Sequence, residues 1–231
     1  MNFDFQSLLA GASVWAIPIL LAITLHEAAH GWVASKLGDP TAKNLGRVTF
    51  NPFKHIDLFG TILLPSILLL VSGGQYMFGF AKPVPVVFQN LKRPRRDMIL
   101  VAAAGPVTNF LLAILAGLLL HAAPHVPDAF VPLAAANLRN LLFANVIFGV
   151  FNLIPLPPLD GGRIAVGILP RPFSVWLAKL EHFGFMIIIF FFFALPWILK
   201  KLDIDFNIFW WLIWAPAMFV IDLIATITGL K

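Results

Sequence analysis

The stretch His26-Glu27-Ala28-Ala29-His30 decides how this chain is read, because of what precedes it. An uncharged run from Phe5 to Leu25 leads directly into it. On a helix the two histidines stand four residues apart on one face. Both imidazoles can then hold one zinc ion while Glu27 reaches a water beside it. The five-residue pattern is weak by itself. At the end of an apolar run long enough to span a bilayer, two histidines and a glutamate would be rejected by lipid, and ionisable groups at that depth mark function.

The composition agrees with a membrane setting. The 231-residue chain is 60% hydrophobic and 12% charged, with a mean hydropathy of +0.90, whereas a soluble domain carries about a quarter charged residues. There are no cysteines, so disulfides are excluded and a zinc ion must be held by His, Asp or Glu. The net charge of +5 comes from basic residues between apolar runs, where it sets membrane orientation and does not point to nucleic acid. No Lys or Arg precedes the first run, so it reads as a retained helix and not as a cleaved signal.

Spans of roughly 20 apolar residues are expected at about 6–34, 98–121, 138–157, 183–199 and 206–227, with a shorter run at 58–72. The fold class is an all-α polytopic membrane protein of about five to six membrane segments, with a small membrane-associated β element near residues 79–88. Residues 1–231 read as a single domain. Lys36, Lys43, Arg47 and Lys54 lie in the first connection, and Lys82, Lys92, Arg93, Arg95 and Arg96 in the second. The positive-inside rule puts both in the cytoplasm and the N-terminus outside, with His26–His30 toward the cytoplasmic side. Two basic connections on one side imply that 58–90 enters the membrane and returns, turning at Gly73-Gly74. Whether 58–72 fully crosses is left open.

The return segment, Gly79 to Val87, reads as a strand, since the residues before Pro83 and Pro85 are biased to extended backbone. Those prolines remove N–H groups from one edge, and Val84 and Val86 present theirs on the other. An edge strand protected from aggregation and a platform to which an extended substrate adds as a strand fit equally well at this point. Gly105-Pro106-Val107-Thr108-Asn109 opens a long apolar helix, where glycine is ordinary and an amide serves as glue between helices.

Further on, Pro155, Pro157 and Pro158 break a helix after Ile154, leaving Asp160 on irregular backbone beside Gly161 and Gly162. A catalytic zinc takes three protein ligands and keeps an open position. The acids near membrane depth are Glu27, Asp160 and Asp222. Glu27 lies off the histidine face and is wanted as a base. Asp222 sits in an unbroken helix and suits structural pairing, so Asp160 is the expected third ligand. His121 and His125 lie on the far side, and His55 and His182 are expected to be solvated. The phenylalanines at 190–193 read as lipid-facing or packing bulk.

HEAAH, GPVTN and NLIPLPPLDGG together resemble the site-2 protease family of intramembrane zinc metalloproteases, over roughly residues 10–170. The resemblance implies one zinc per chain on His26, His30 and Asp160, with Glu27 as general base and Asn152 stabilising the oxyanion or orienting substrate. It tips the 79–87 segment toward substrate addition through Lys82, Val84 and Val86. It also places Asn109 in the family's GPxxN motif, and Asn109 is grouped with those substrate-binding residues. The implied substrate is a transmembrane protein, cut at or near its membrane segment, in the plasma (inner) membrane. The lipid bilayer is the other partner, and oligomeric state is left open. The chain looks like a compact form lacking a PDZ domain, with a catalytic core at about 10–170 and two further helices at about 183–227 as candidates for gating. The rival readings are an intramembrane metal-ion transporter, which has no need of Glu27, and an inactive scaffold.

Overall fold

The computed structural model describes residues 5–71 and 79–231. The first apolar run forms α1, Phe5–Leu37. It ends at Gly38, whose φ of +119° belongs to the left-handed region that glycine enters without steric cost. A Cβ there would also come within 3.0 Å of the Asn90 carbonyl. The short α2, Thr41–Asn44, follows, and then a wide helical turn, Leu58–Leu63, runs into α3, Leu64–Val71. The helical part of the 58–72 run is thus present through Val71, and the expected turn at Gly73-Gly74 lies outside the described residues.

Residues 79–87 are extended but form no strand, and no β-strand occurs among the described residues, which corrects the expected β element. The physical reason lies in the partners. Phe80 N–H donates to Gly60 O and Lys82 N–H to His55 O, whereas Val84 and Val87 N–H donate to the side chains of Glu27 and Asp39. The prolines did impose extended backbone, but no second strand lies alongside to make a ladder.

The long α4 spans Pro94–Leu120 and α5 spans Val131–Asn152, each with a proline in its first turn, where the missing N–H costs nothing. Helix α5 starts and ends several residues before the expected 138–157. A broken segment carries Pro155, Pro157 and Pro158, and then α6 occupies Asp160–Ile168. Asp160 therefore opens a helix, which corrects its expected place on irregular backbone. Helix α7, Phe173–Lys179, precedes α8, Gly184–Ile189, which continues through a widened turn at Phe190–Ala194 into α9, Leu195–Lys201. A similar turn at Trp210–Trp214 leads into α10, Ala215–Ile227.

Five helical stretches among the described residues are long and apolar enough to cross a membrane: Ser13–Leu37, Pro94–Leu120, Asp128–Asn152, Gly184–Lys201 and Trp210–Ile227. The chain is an integral membrane protein. Its core, made by α4, α5 and α10, is built on Ala113, Ala116, Val146 and Ala217. Small residues let membrane helices approach closely where lipid supplies no hydrophobic drive. Phe192 packs between Phe151 and Phe209, while Phe190 and Phe191 remain exposed, so the phenylalanine run serves both packing and the lipid face. Asp222 pairs with Lys231.

Candidate metal centre

The His26–His30 face of α1 lies against α4, and the approach depends on Gly105. A Cβ at that position would stand 2.5 Å from His30 Nε2 and 2.5 Å from His26 Cε1. Glycine here opens the space that the imidazoles occupy, which is more than the ordinary tolerance expected of it. Asp160 reaches the same place from the first turn of α6. That turn sits on the broken segment through Gly161 and Gly162, where Cβ atoms would fall 2.2 Å from Leu153 O and 2.1 Å from Pro157 N.

The three ligand atoms converge. His26 Nε2 and His30 Nε2 are 3.0 Å apart, and Asp160 Oδ2 lies 3.2 and 3.3 Å from them. All three residues are buried. The protonation of each ring follows from its other nitrogen. His30 Nδ1 is 2.7 Å from the Val101 carbonyl, which only accepts, so Nδ1 carries the proton. Asn109 donates through Nδ2 to Ala22 O and to Asn145 Oδ1, leaving its Oδ1 to accept from His26 Nδ1 at 2.6 Å. In the neutral rings both Nε2 atoms then present lone pairs, facing each other and a buried carboxylate oxygen with no hydrogen-bond partner.

Three convergent lone-pair donors repel unless a cation lies among them. A tetrahedral zinc with bonds of 2.0–2.1 Å has ligand–ligand edges of about 3.3 Å, close to the separations seen here. The donor set fits zinc, and the hydrogen bonds on both Nδ1 atoms are the outer partners that fix a metal-binding tautomer.

Glu27 lies beside this group, and its Oε2 accepts the Val84 N–H at 2.7 Å. Asn152, at the end of α5, donates its amide to Phe148 O of its own helix. Asn109 is fully buried behind His26. Both polar backbone groups of Lys82 are engaged, its N–H with His55 O and its C=O with Arg47. The unpaired backbone groups on that edge, among the described residues, are the Val84 carbonyl and the Val86 N–H and carbonyl. His55, expected to be solvated, is buried. Its place is under the extended segment that its carbonyl holds. Sequence reasoning missed Asn145, Asp39 and Arg47. For Asn145 the available signal was a second asparagine inside an apolar helix.

Comparison with known proteins agrees with this geometry. The description Peptidase family M50 matches residues 14–137. YwhC of Bacillus subtilis is 40% identical over 74% of this chain and 76% of its own length. Rip2 of Mycolicibacterium smegmatis is 30% identical over 74% of this chain and 62% of its own. MJ0392 of Methanocaldococcus jannaschii is 27% identical over 73% and 39%. All of these carry zinc metalloprotease in their names. No solved structure gives a significant match. The chain belongs to peptidase family M50, the site-2 protease family, and is a zinc metalloprotease.

Proposed function

We propose that this protein hydrolyses peptide bonds within or near transmembrane segments of other membrane proteins. The observation that carries this reading is the buried His26–His30–Asp160 group set between membrane-length helices, with Glu27 beside it. His26, His30 and Asp160 would hold the zinc, which when bound would supply a Lewis acid for a substrate carbonyl and lower the pKa of a water toward neutrality. Glu27 takes that proton and later gives it to the leaving amine. Asn152 supplies an amide donor to the oxyanion after turning from Phe148 O. Asn109 acts through His26, holding the ring so that Nε2 faces the ligand group.

A transmembrane helix hides its carbonyls in its own hydrogen bonds and must unwind before it can be cut. The unpaired groups of Val84 and Val86 can replace some of those lost bonds by strand addition. Lys82, with its backbone engaged, offers its exposed side chain. The basic connections favour a site near the cytoplasmic face of the plasma membrane, with the N-terminus outside.

The test is the position of cleavage. The protein is reconstituted in a bilayer with a peptide carrying one transmembrane segment, and the products are sized by mass spectrometry. Cuts inside the segment or at its cytoplasmic border are expected. Cuts confined to soluble flanks, or equal cleavage of a soluble peptide of the same scissile sequence, would contradict intramembrane action.

A further inference from the structure

The hydrogen bond between Val84 N–H and Glu27 Oε2, 2.7 Å long, is held in place from outside the metal group. Arg47, in the loop after α2, directs its guanidinium to the carbonyls of the two residues before Val84, at 2.8 Å from Lys82 O and 3.4 Å from Pro83 O. Arg47 is buried, and it makes no ion pair among the described residues. Burying a cation without a carboxylate partner is costly, and here its ligands are the carbonyls of one extended segment. The far end of that segment is held by Asp39, whose Oδ2 accepts Val87 N–H at 2.7 Å. The middle is seated on α1 at Gly31, where a Cβ would come within 3.0 Å of Val84 Cγ1. Gly31 is one helical turn beyond Glu27. The missing side chain lets Val84 lie on the helix with its N–H in reach of the carboxylate.

We propose that Arg47 is a positioning residue for proteolysis. By clamping the Lys82 and Pro83 carbonyls it presents the Val84 N–H to Glu27 Oε2, which fixes the carboxylate and leaves its other oxygen for the water. The inference rests on Glu27 being the general base. It gives the 82–87 segment a second task besides receiving substrate, and the two tasks separate kinetically. A lost platform raises KM, while a misplaced base lowers kcat. Misplacement by about 1 Å can cost on the order of 10²-fold.

The experiment uses the full zinc-loaded chain in a bilayer with a single-segment transmembrane peptide. Arg47→Ala, Arg47→Lys, Val84→Pro and the double variant Arg47→Ala/Val84→Pro are assayed for kcat, KM and zinc content. Proline suits the extended backbone and deletes the N–H. Arg47→Ala and Val84→Pro are each expected to lose roughly 10²-fold in kcat with KM little changed and zinc retained. The double variant should be no worse than the weaker single one, because both changes remove the same bond. Arg47→Lys, which keeps a donor for the carbonyls, should recover much of the loss. An unchanged kcat, effects that multiply in the double variant, or loss of zinc from Arg47→Ala would each overturn the proposal. Glu27→Gln is run beside them. If it cleaves normally, the general-base reading itself fails. If it is inactive while Arg47→Ala keeps its kcat, only the positioning role fails.

Discussion

Asn109 Oδ1 lies 2.6 Å from His26 Nδ1, and both hydrogens of the same amide are taken by Ala22 O and Asn145 Oδ1. The amide cannot flip without facing its donors toward the His26 N–H. A chain of α4 and α5 side chains thus dictates which nitrogen of an α1 histidine is left bare.

Asn109→Ala removes the acceptor and frees the His26 ring to turn and change tautomer. Loss of such an outer partner typically weakens metal binding by about 10–100-fold. Competition with a zinc chelator should show a drop of that size, with a similar loss in Asn109→Leu. Unaltered zinc affinity in both variants would contradict the orienting role.

Gly105→Ala places a methyl group 2.5 Å from His30 Nε2, closer than any real contact allows. Either α4 moves away or the imidazoles do. Zinc stoichiometry should fall well below one per chain, with the helical content kept by circular dichroism. Full zinc occupancy would show that α4 does not form the wall of the site.

Asp39 is buried, and burial by itself would raise its carboxyl pKa. Hydrogen bonds from the Thr41 hydroxyl, the Asn90 amide and the N–H groups of Val87 and Thr41 outweigh that and lower it. A group whose folded pKa is depressed stabilises the fold above the unfolded value, about 3.9, and loses that contribution as pH falls through the folded value. Wild type should therefore be more stable than Asp39→Asn near neutrality, by about 1–3 kcal/mol for the buried donors left unmatched, as read from thermal or denaturant unfolding. The gap should narrow below about pH 4. A gap independent of pH would contradict the carboxylate's part in holding Val87.

The His26–His30–Asp160 group that could hold a metal was legible because its signals are local. His26 and His30 share a helical face by spacing, and Asp160 is marked by the prolines before it and the glycines after it. The partners of those three side chains were not legible in the same way. That Gly105 faces the imidazoles, or that Asn145 completes the Asn109 bond, depends on which helices pack together and in what rotation, which short-range spacing does not encode. The segment at 79–87 shows the same limit from the other side. Pro83 and Pro85 made extended backbone readable, but a strand needs a neighbour, and here Glu27, Asp39 and Arg47 take its place. Asp160 opens a helix because Gly161 and Gly162 allow α6 to begin hard against Leu153 and Pro157, a packing fact invisible in a run that reads as loop.

His26, His30 and Asp160 are proposed to hold zinc while Glu27 moves the proton. The most direct test measures zinc content and cleavage of a transmembrane substrate together, in wild type, Glu27→Gln and Asp160→Ala. One zinc per chain in wild type, the same zinc without cleavage in Glu27→Gln, and weakened zinc in Asp160→Ala are the predicted results. Normal cleavage by Glu27→Gln would contradict the account.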